Sequence, residues 1–135
     1  MKKYRLKNIV LFLSIIFLQA SCAKEKDAEP PEFSFKKGSN YLSANASVGK
    51  GEVYTIGVIA DKSKRDLRKF EVNVSYDGGG YDQHLSYLLK NDEKSHFERD
   101  VKITTRNELG SERWQFEISD IDGSTSEMEI SLAVN

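Results

Sequence analysis

The sequence predicts an all-β fold, a two-sheet antiparallel sandwich of about seven strands, on three observations. From Glu32 onward apolar side chains recur with a period of two, the spacing of a strand with one face buried. Turn-forming clusters cut the chain into short pieces at Gly49-Lys50-Gly51, Asp77 to Gly80, Asn107 to Ser111 and Asp120 to Ser124. Helical spacing fits only one segment, residues 81–89.

In chain order, Phe33 and Phe35 alternate with polar neighbours in a first short strand, and Tyr41 to Val48 reads as a weak strand of small side chains. Val53 to Ala60 is apolar on both faces and rich in β-branched residues, which predicts a central strand. Phe70, Val72, Val74 and Tyr76 fall on one face of the next strand, with Lys69, Glu71, Asn73 and Ser75 on the other. A slip of one residue would expose four large groups, so its register is strongly specified. The three glycines after Asp77 permit the positive φ angles of a hairpin turn. In residues 81–89, Leu85, Leu88 and Leu89 suit a helical turn about as well as an edge strand or switch segment. Phe97, Val101 and Ile103 mark the next strand. Trp114, Phe116 and Ile118, then Met128, Ile130, Leu132 and Val134, mark two more around an Asp-Gly turn at Asp122-Gly123, a strong signal for an antiparallel hairpin.

The first 21 residues are a different material. Lys2, Lys3, Arg5 and Lys7 precede an apolar run from Ile9 to Leu18, and the segment has no acid. A spanning helix needs about 20 apolar residues, so this run reads as a secretory signal and not as an anchor. Leu18-Gln19-Ala20-Ser21-Cys22 resembles the lipobox of bacterial lipoproteins, in which a peptidase cuts before a cysteine that carries lipid. The match lies at Ala20, Ser21 and Cys22, whereas Gln19 stands where the motif prefers an aliphatic residue. Cys22 is the only cysteine, so it closes no internal disulfide, and its place after a signal makes it the expected lipidation site. Two or more acyl chains give stable anchoring at about 0.8 kcal/mol per buried CH₂. Residues 22–31 are then a charged flexible tether ending in Pro30-Pro31, and residues 32–135 the folded domain. Lys24-Glu25-Lys26-Asp27 is similar to the export signal of surface lipoproteins in the Bacteroidota, which implies outward display from the outer membrane. A solvated linker facing the periplasm has the same composition.

The segment from Trp114 through Asp120-Ile121-Asp122-Gly123 into an alternating last strand resembles the end of immunoglobulin-like or PKD-like domains of bacterial surface lipoproteins. The resemblance implies a Greek-key sandwich and names no ligand, because that fold hosts many functions.

The whole chain is near neutral, with 20 Lys+Arg against 21 Asp+Glu. Without the first 21 residues, 16 bases face 21 acids, a net charge of −5. An acidic domain argues against nucleic acid as partner, although Lys62 to Lys69 is locally basic. That stretch reads as a solvated loop between strands, or as a contact for a partner or a lipid headgroup. His84 and His96 lack metal-ligand spacing, and Gly78 to Gly80 lacks the Lys-Ser/Thr of a phosphate loop. Asp120 and Asp122 sit beside a glycine as in calcium loops, but an EF-hand would need Glu where Ser131 stands, so an Asp capping its own turn is expected. No nucleophile elbow is present. The expected site inventory is therefore Cys22 for lipid, no catalytic residues, no metal and no cofactor. Tyr76, Tyr81 and Tyr87, around the glycine turn, are binding candidates as an aromatic platform for sugar, or else half-buried residues of the sandwich. The function expected is that of a non-enzymatic, lipid-anchored envelope protein binding a protein or glycan partner, with a carbohydrate-binding module and a small hydrolase or inhibitor as rivals.

Overall fold

The computed structural model describes residues 29–135. The signal segment, Cys22 and most of the tether lie outside them. Eight strands form: β1 (Glu32–Phe35), β2 (Ala46–Val48), β3 (Val53–Asp61), β4 (Leu67–Tyr76), β5 (Tyr81–Leu88), β6 (His96–Thr104), β7 (Gly110–Asp120) and β8 (Thr125–Val134). They make two sheets, in the orders β1-β3-β6 and β2-β8-β7-β4-β5. This all-β sandwich has the strand order of immunoglobulin-like domains, with three strands facing an extended four-strand sheet and an added edge. Among the described residues there is no helix.

Residues 81–88 form an edge strand, one of the readings expected for them, and bring the count to eight against about seven. Two other features differ from the expectation. Of Tyr41 to Val48 only Ala46–Val48 is strand, and it runs parallel to β8, so the sandwich is not wholly antiparallel. The cause is a change of sheet without a change of direction. After β1 the chain still bonds β3 through Lys36 N–H to Gly57 O and Leu42 N–H to Thr55 O, then crosses to the edge of the other sheet. Pro31 is itself buried, so the packed domain takes in one residue before Glu32.

Alternation places the core as expected. Phe70, Val72 and Val74 of β4 and Trp114, Phe116 and Ile118 of β7 are buried against Ile56, Val58, Phe97 and Ile103 of the facing sheet. Phe70 is the hub, its ring 5.2 Å from Phe97, 6.4 Å from Phe33 and 6.5 Å from Phe116. The chain has a single cysteine and so no internal disulfide, and this aromatic packing holds the two sheets.

The β4–β5 turn is a tight one. Asp77 and Gly78 have φ of 51° and 77°, and Gly79 N–H donates to Tyr76 O at 2.9 Å. That is the type I′ pattern, whose twist matches the flanking strands. Of the three glycines only Gly78 uses a positive φ; the other residue in that region is the aspartate.

Strand register defines two ends of the sandwich. Glu32, Asp61 and His96 are paired across one end, where Leu67 also faces Asp120 and Lys69 faces Leu88. The chain enters here: Pro31 O accepts from the Ser126 hydroxyl, and the Glu29 carboxylate accepts from Ser63 Oγ at 3.3 Å. This end adjoins the expected tether and is named the tether end for it. The far end holds Val53, Tyr76, Thr104 and Gly110.

Candidate functional site

At the far end, the β4–β5 turn and the β6–β7 connection are locked together around Arg106. Its guanidinium grips Asp77 with two bonds, Nη1 to Oδ2 at 2.5 Å and Nη2 to Oδ1 at 2.6 Å, and Nη2 also donates to Leu109 O at 2.9 Å. Asp77 accepts a further bond from Ser111 N–H at 2.9 Å. The Arg106 bonds, then that backbone N–H, hold its carboxyl down at about 2. Gly110 makes the grip possible: its φ is 147°, and a Cβ there would lie 1.4 Å from Arg106 Nη2 and 2.4 Å from Asp77 Oδ1.

Beneath this pair is a buried carboxylate. Glu112, fully enclosed, accepts from Arg106 N–H at 2.7 Å through Oε1 and from Trp114 Nε1–H at 2.8 Å through Oε2. Thr105 fastens the neighbouring loop, its hydroxyl donating to Gly49 O at 2.7 Å and accepting from Glu52 N–H at 3.0 Å. On this rigid base Tyr76, Arg106, Asn107 and Glu108 line an open groove, with the Arg106 guanidinium 5.7 Å from the centre of the Tyr76 ring. Tyr76 is 39% exposed, and Leu109 beside the groove is 68% exposed. The groove offers an aromatic face, a fixed cation, an amide and a carboxylate, a set suited to binding by stacking and hydrogen bonds. Partial desolvation, then the neighbouring Glu112, raises the pKa of the Tyr76 phenol.

The three candidate tyrosines do not share a surface. Tyr76 lines the far-end groove. Tyr81 lies on the outer face of the larger sheet, its hydroxyl donating to Glu129 at 2.5 Å with the Arg113 guanidinium 5.4 Å from its ring. Tyr87 points into the sandwich, stacked on Phe97 at 6.1 Å, covered by Arg99 at 4.4 Å and bonded to Glu93 at 2.8 Å. Arg106 and Glu112 were not among the candidates. Glu112 had a visible signal, being a charged residue at a position that alternation with Trp114, Phe116 and Ile118 assigns to the core. Arg106 had none, because its partner is 29 residues away.

The remaining candidates occupy separate places. His84 stands edge-on to Trp114 at 4.9 Å. Asp120 Oδ1 accepts from Asp122 N–H and Ser124 N–H, both at 2.9 Å, and so caps its own turn, while Asp122 pairs with Arg65 at 2.7 Å. Among the described residues no group of His, Cys, Asp and Glu has the geometry to hold a metal ion.

A second polar cluster covers the outer face of the smaller sheet. His96 Nδ1 is 2.6 Å from Asp61 and Nε2 3.1 Å from Glu98, and Lys36 bridges Glu98 at 3.0 Å and Asp100 at 3.1 Å. Gly57 gives the Lys36 stem its seat, since a Cβ there would come within 2.7 Å of it. The hydrogen bond to Asp61, then that to Glu98, raises the His96 pKa. A raised folded-state pKa adds stability that is complete at low pH and is lost as pH rises through it. The unfolding midpoint is therefore expected to be slightly higher at pH 6 than at pH 8, and the difference to vanish in His96→Gln. The effect is small because the ring is half exposed and its pairs are screened. Thermal melts of both proteins at the two pH values check it.

No protein-family model matches the chain. No curated protein matches it. Among solved structures it is similar to murine CRIg, over 79% of this chain and 99% of that one, at 12% identity and a TM-score of 0.41, too loose a likeness to transfer the role of any residue.

Proposed function

We propose that the chain is a non-enzymatic, lipid-anchored protein of the bacterial envelope whose immunoglobulin-like domain binds another macromolecule through the far end of the sandwich. The observation that carries the binding surface is the groove at Tyr76, Arg106, Asn107 and Glu108, built on a rigid base at the end opposite the tether. The anchor rests on the signal segment and on Cys22 in its lipobox-like setting.

Cys22→Ala, or globomycin treatment of the wild type, is expected to leave an unprocessed, unacylated precursor, read by gel mobility and radiolabelled palmitate. Normal maturation of the mutant overturns the anchor. A photoreactive residue at Leu109 is expected to give crosslinked adducts in cells that the same residue at Gln83 does not. Equal labelling at both positions removes the far end as the binding surface.

A second reading, capture of polysaccharide at the cell surface, is favoured by the exposed Tyr76 ring set among polar side chains. A glycan array on which the domain finds no binder retires it.

A further inference from the structure

Apart from Tyr81 on the outer face of the larger sheet, the large apolar side chains exposed among the described residues gather at the two ends of the sandwich. At the tether end Leu88 is 68% exposed and Ile121 is 49% exposed. With Leu67 and Leu89 behind them they line an open groove bordered by Arg68 and Lys94. Of the basic stretch seen in the sequence, Lys62, Lys64, Arg65 and Lys69 are spent on Asp66, Glu29, Asp122 and Glu71, which leaves Arg68, and beside it stands Lys94 from the segment before β6. Among the described residues Arg68 and Lys94 form no ion pair, and Lys94 contributes only a longer-range attraction to Asp66.

The chain leading away from this end limits what can lie opposite it. Nine residues, Ala23 to Pro31, lead on from Cys22. At about 3.3–3.6 Å each they reach roughly 30 Å when fully extended, and a flexible chain of that length averages nearer 15–18 Å. An anchored domain would thus hold Leu88 and Ile121 close to the lipid surface at millimolar effective concentration, where a contact too weak to bind from solution becomes populated.

We propose that the tether end rests on the membrane that carries the anchor, with Leu88 and Ile121 in the headgroup layer and Arg68 and Lys94 at lipid phosphates. The proposal rests on the lipid-anchor reading of Cys22. It orients the domain, turning the Tyr76 groove away from the bilayer.

The test uses the acylated full-length protein in vesicles of phosphatidylethanolamine and phosphatidylglycerol, with a tryptophan introduced by Leu88→Trp or, at the other end, Leu109→Trp. Trp114 is buried and serves as a common background. Brominated lipid is expected to quench the new emission of Leu88→Trp about two-fold and to leave that of Leu109→Trp unchanged. Adding Arg68→Glu and Lys94→Glu to Leu88→Trp is expected to abolish most of that quenching. Acylated protein with Leu88→Trp unquenched, or quenched no more than Leu109→Trp, overturns the proposal and leaves the anchor standing. Protection of Leu88→Trp by a bound protein in place of lipid overturns it in favour of a protein dock. A mass spectrum lacking acyl groups on Cys22 overturns the anchor and the proposal together.

Discussion

Phe70→Ala is expected to lower the stability of the domain by about 3–5 kcal/mol, the usual cost of emptying a phenylalanine site in a close-packed core. Phe70 is fully buried at the centre of β4, and its ring meets Phe33 of β1, Phe97 of β6 and Phe116 of β7. It thereby joins both sheets. The surrounding rings belong to hydrogen-bonded strands and cannot collapse far into the space left, which favours the upper part of the range. A domain of this size has about 5–15 kcal/mol to lose, so the variant stands near the limit of folding. Urea unfolding followed by Trp114 fluorescence is the measurement, with a lower midpoint and an unchanged slope expected. Phe70→Leu keeps most of the volume and is expected to lose less. A loss below about 1 kcal/mol in Phe70→Ala would mean that the two sheets are not joined through this ring.

Glu112→Ala is the second large effect, and its origin is polar. Among the described residues the substitution removes the only acceptor of the Trp114 indole N–H and the Arg106 backbone N–H. Each buried donor left unsatisfied costs about 1–3 kcal/mol, so a loss of about 2–6 kcal/mol is expected for the two. Glu112→Gln retains one acceptor oxygen but turns an NH₂ toward one of the two donors, and falls between. The consequence extends to the surface, because Glu112 holds the Arg106 backbone whose side chain grips Asp77 and borders the Tyr76 groove. Partner adducts at Leu109 should therefore fall in Glu112→Gln even under conditions where the domain is fully folded. Near-ultraviolet circular dichroism of Trp114 reports the local change, and chemical denaturation the global one.

The tyrosines show why legibility stops where it does. Tyr81 and Tyr87 are six residues apart, so simple alternation puts them on one face. In the structure they lie on opposite faces, because β5 pairs Gln83 with Asn73 but Leu85 with Val72, and His84 between them is an extra residue. That bulge reverses the facing of everything after it. It also explains the leucine pattern that suits a helical turn: Leu85 faces inward after the bulge, and Leu88 at the strand end faces out beside Lys69. A bulge arises from pairing with the neighbouring strand, and no residue within β5 announces it.

Other features were open to reading because they are local. The alternation of β4, β7 and β8 and the Asp-Gly turn between the last two strands are consequences of a two-residue side-chain period and of backbone preference. The self-capping of Asp120 follows from a short side chain beside its own turn. The cluster of Arg106, Asp77, Glu112 and Trp114 is different in kind. Its members come from three segments, and the Arg106–Asp77 pair exists only where Gly110 leaves room for a guanidinium against the backbone.

By itself, then, the sequence determined the class of fold, the central strands, the terminal hairpin, and the contrast between a basic, apolar first segment and an acidic remainder. Each depends on residues within one turn or one strand of one another. Tertiary structure alone decided that β2 joins the far sheet in parallel, that a bulge divides β5, and that one end gathers Leu88 and Ile121 while the other gathers Tyr76 and Arg106. The physical reason is that these depend on which strands become neighbours. That choice is made by the burial of both sheets against a shared aromatic core, not by the conformational preference of any single segment.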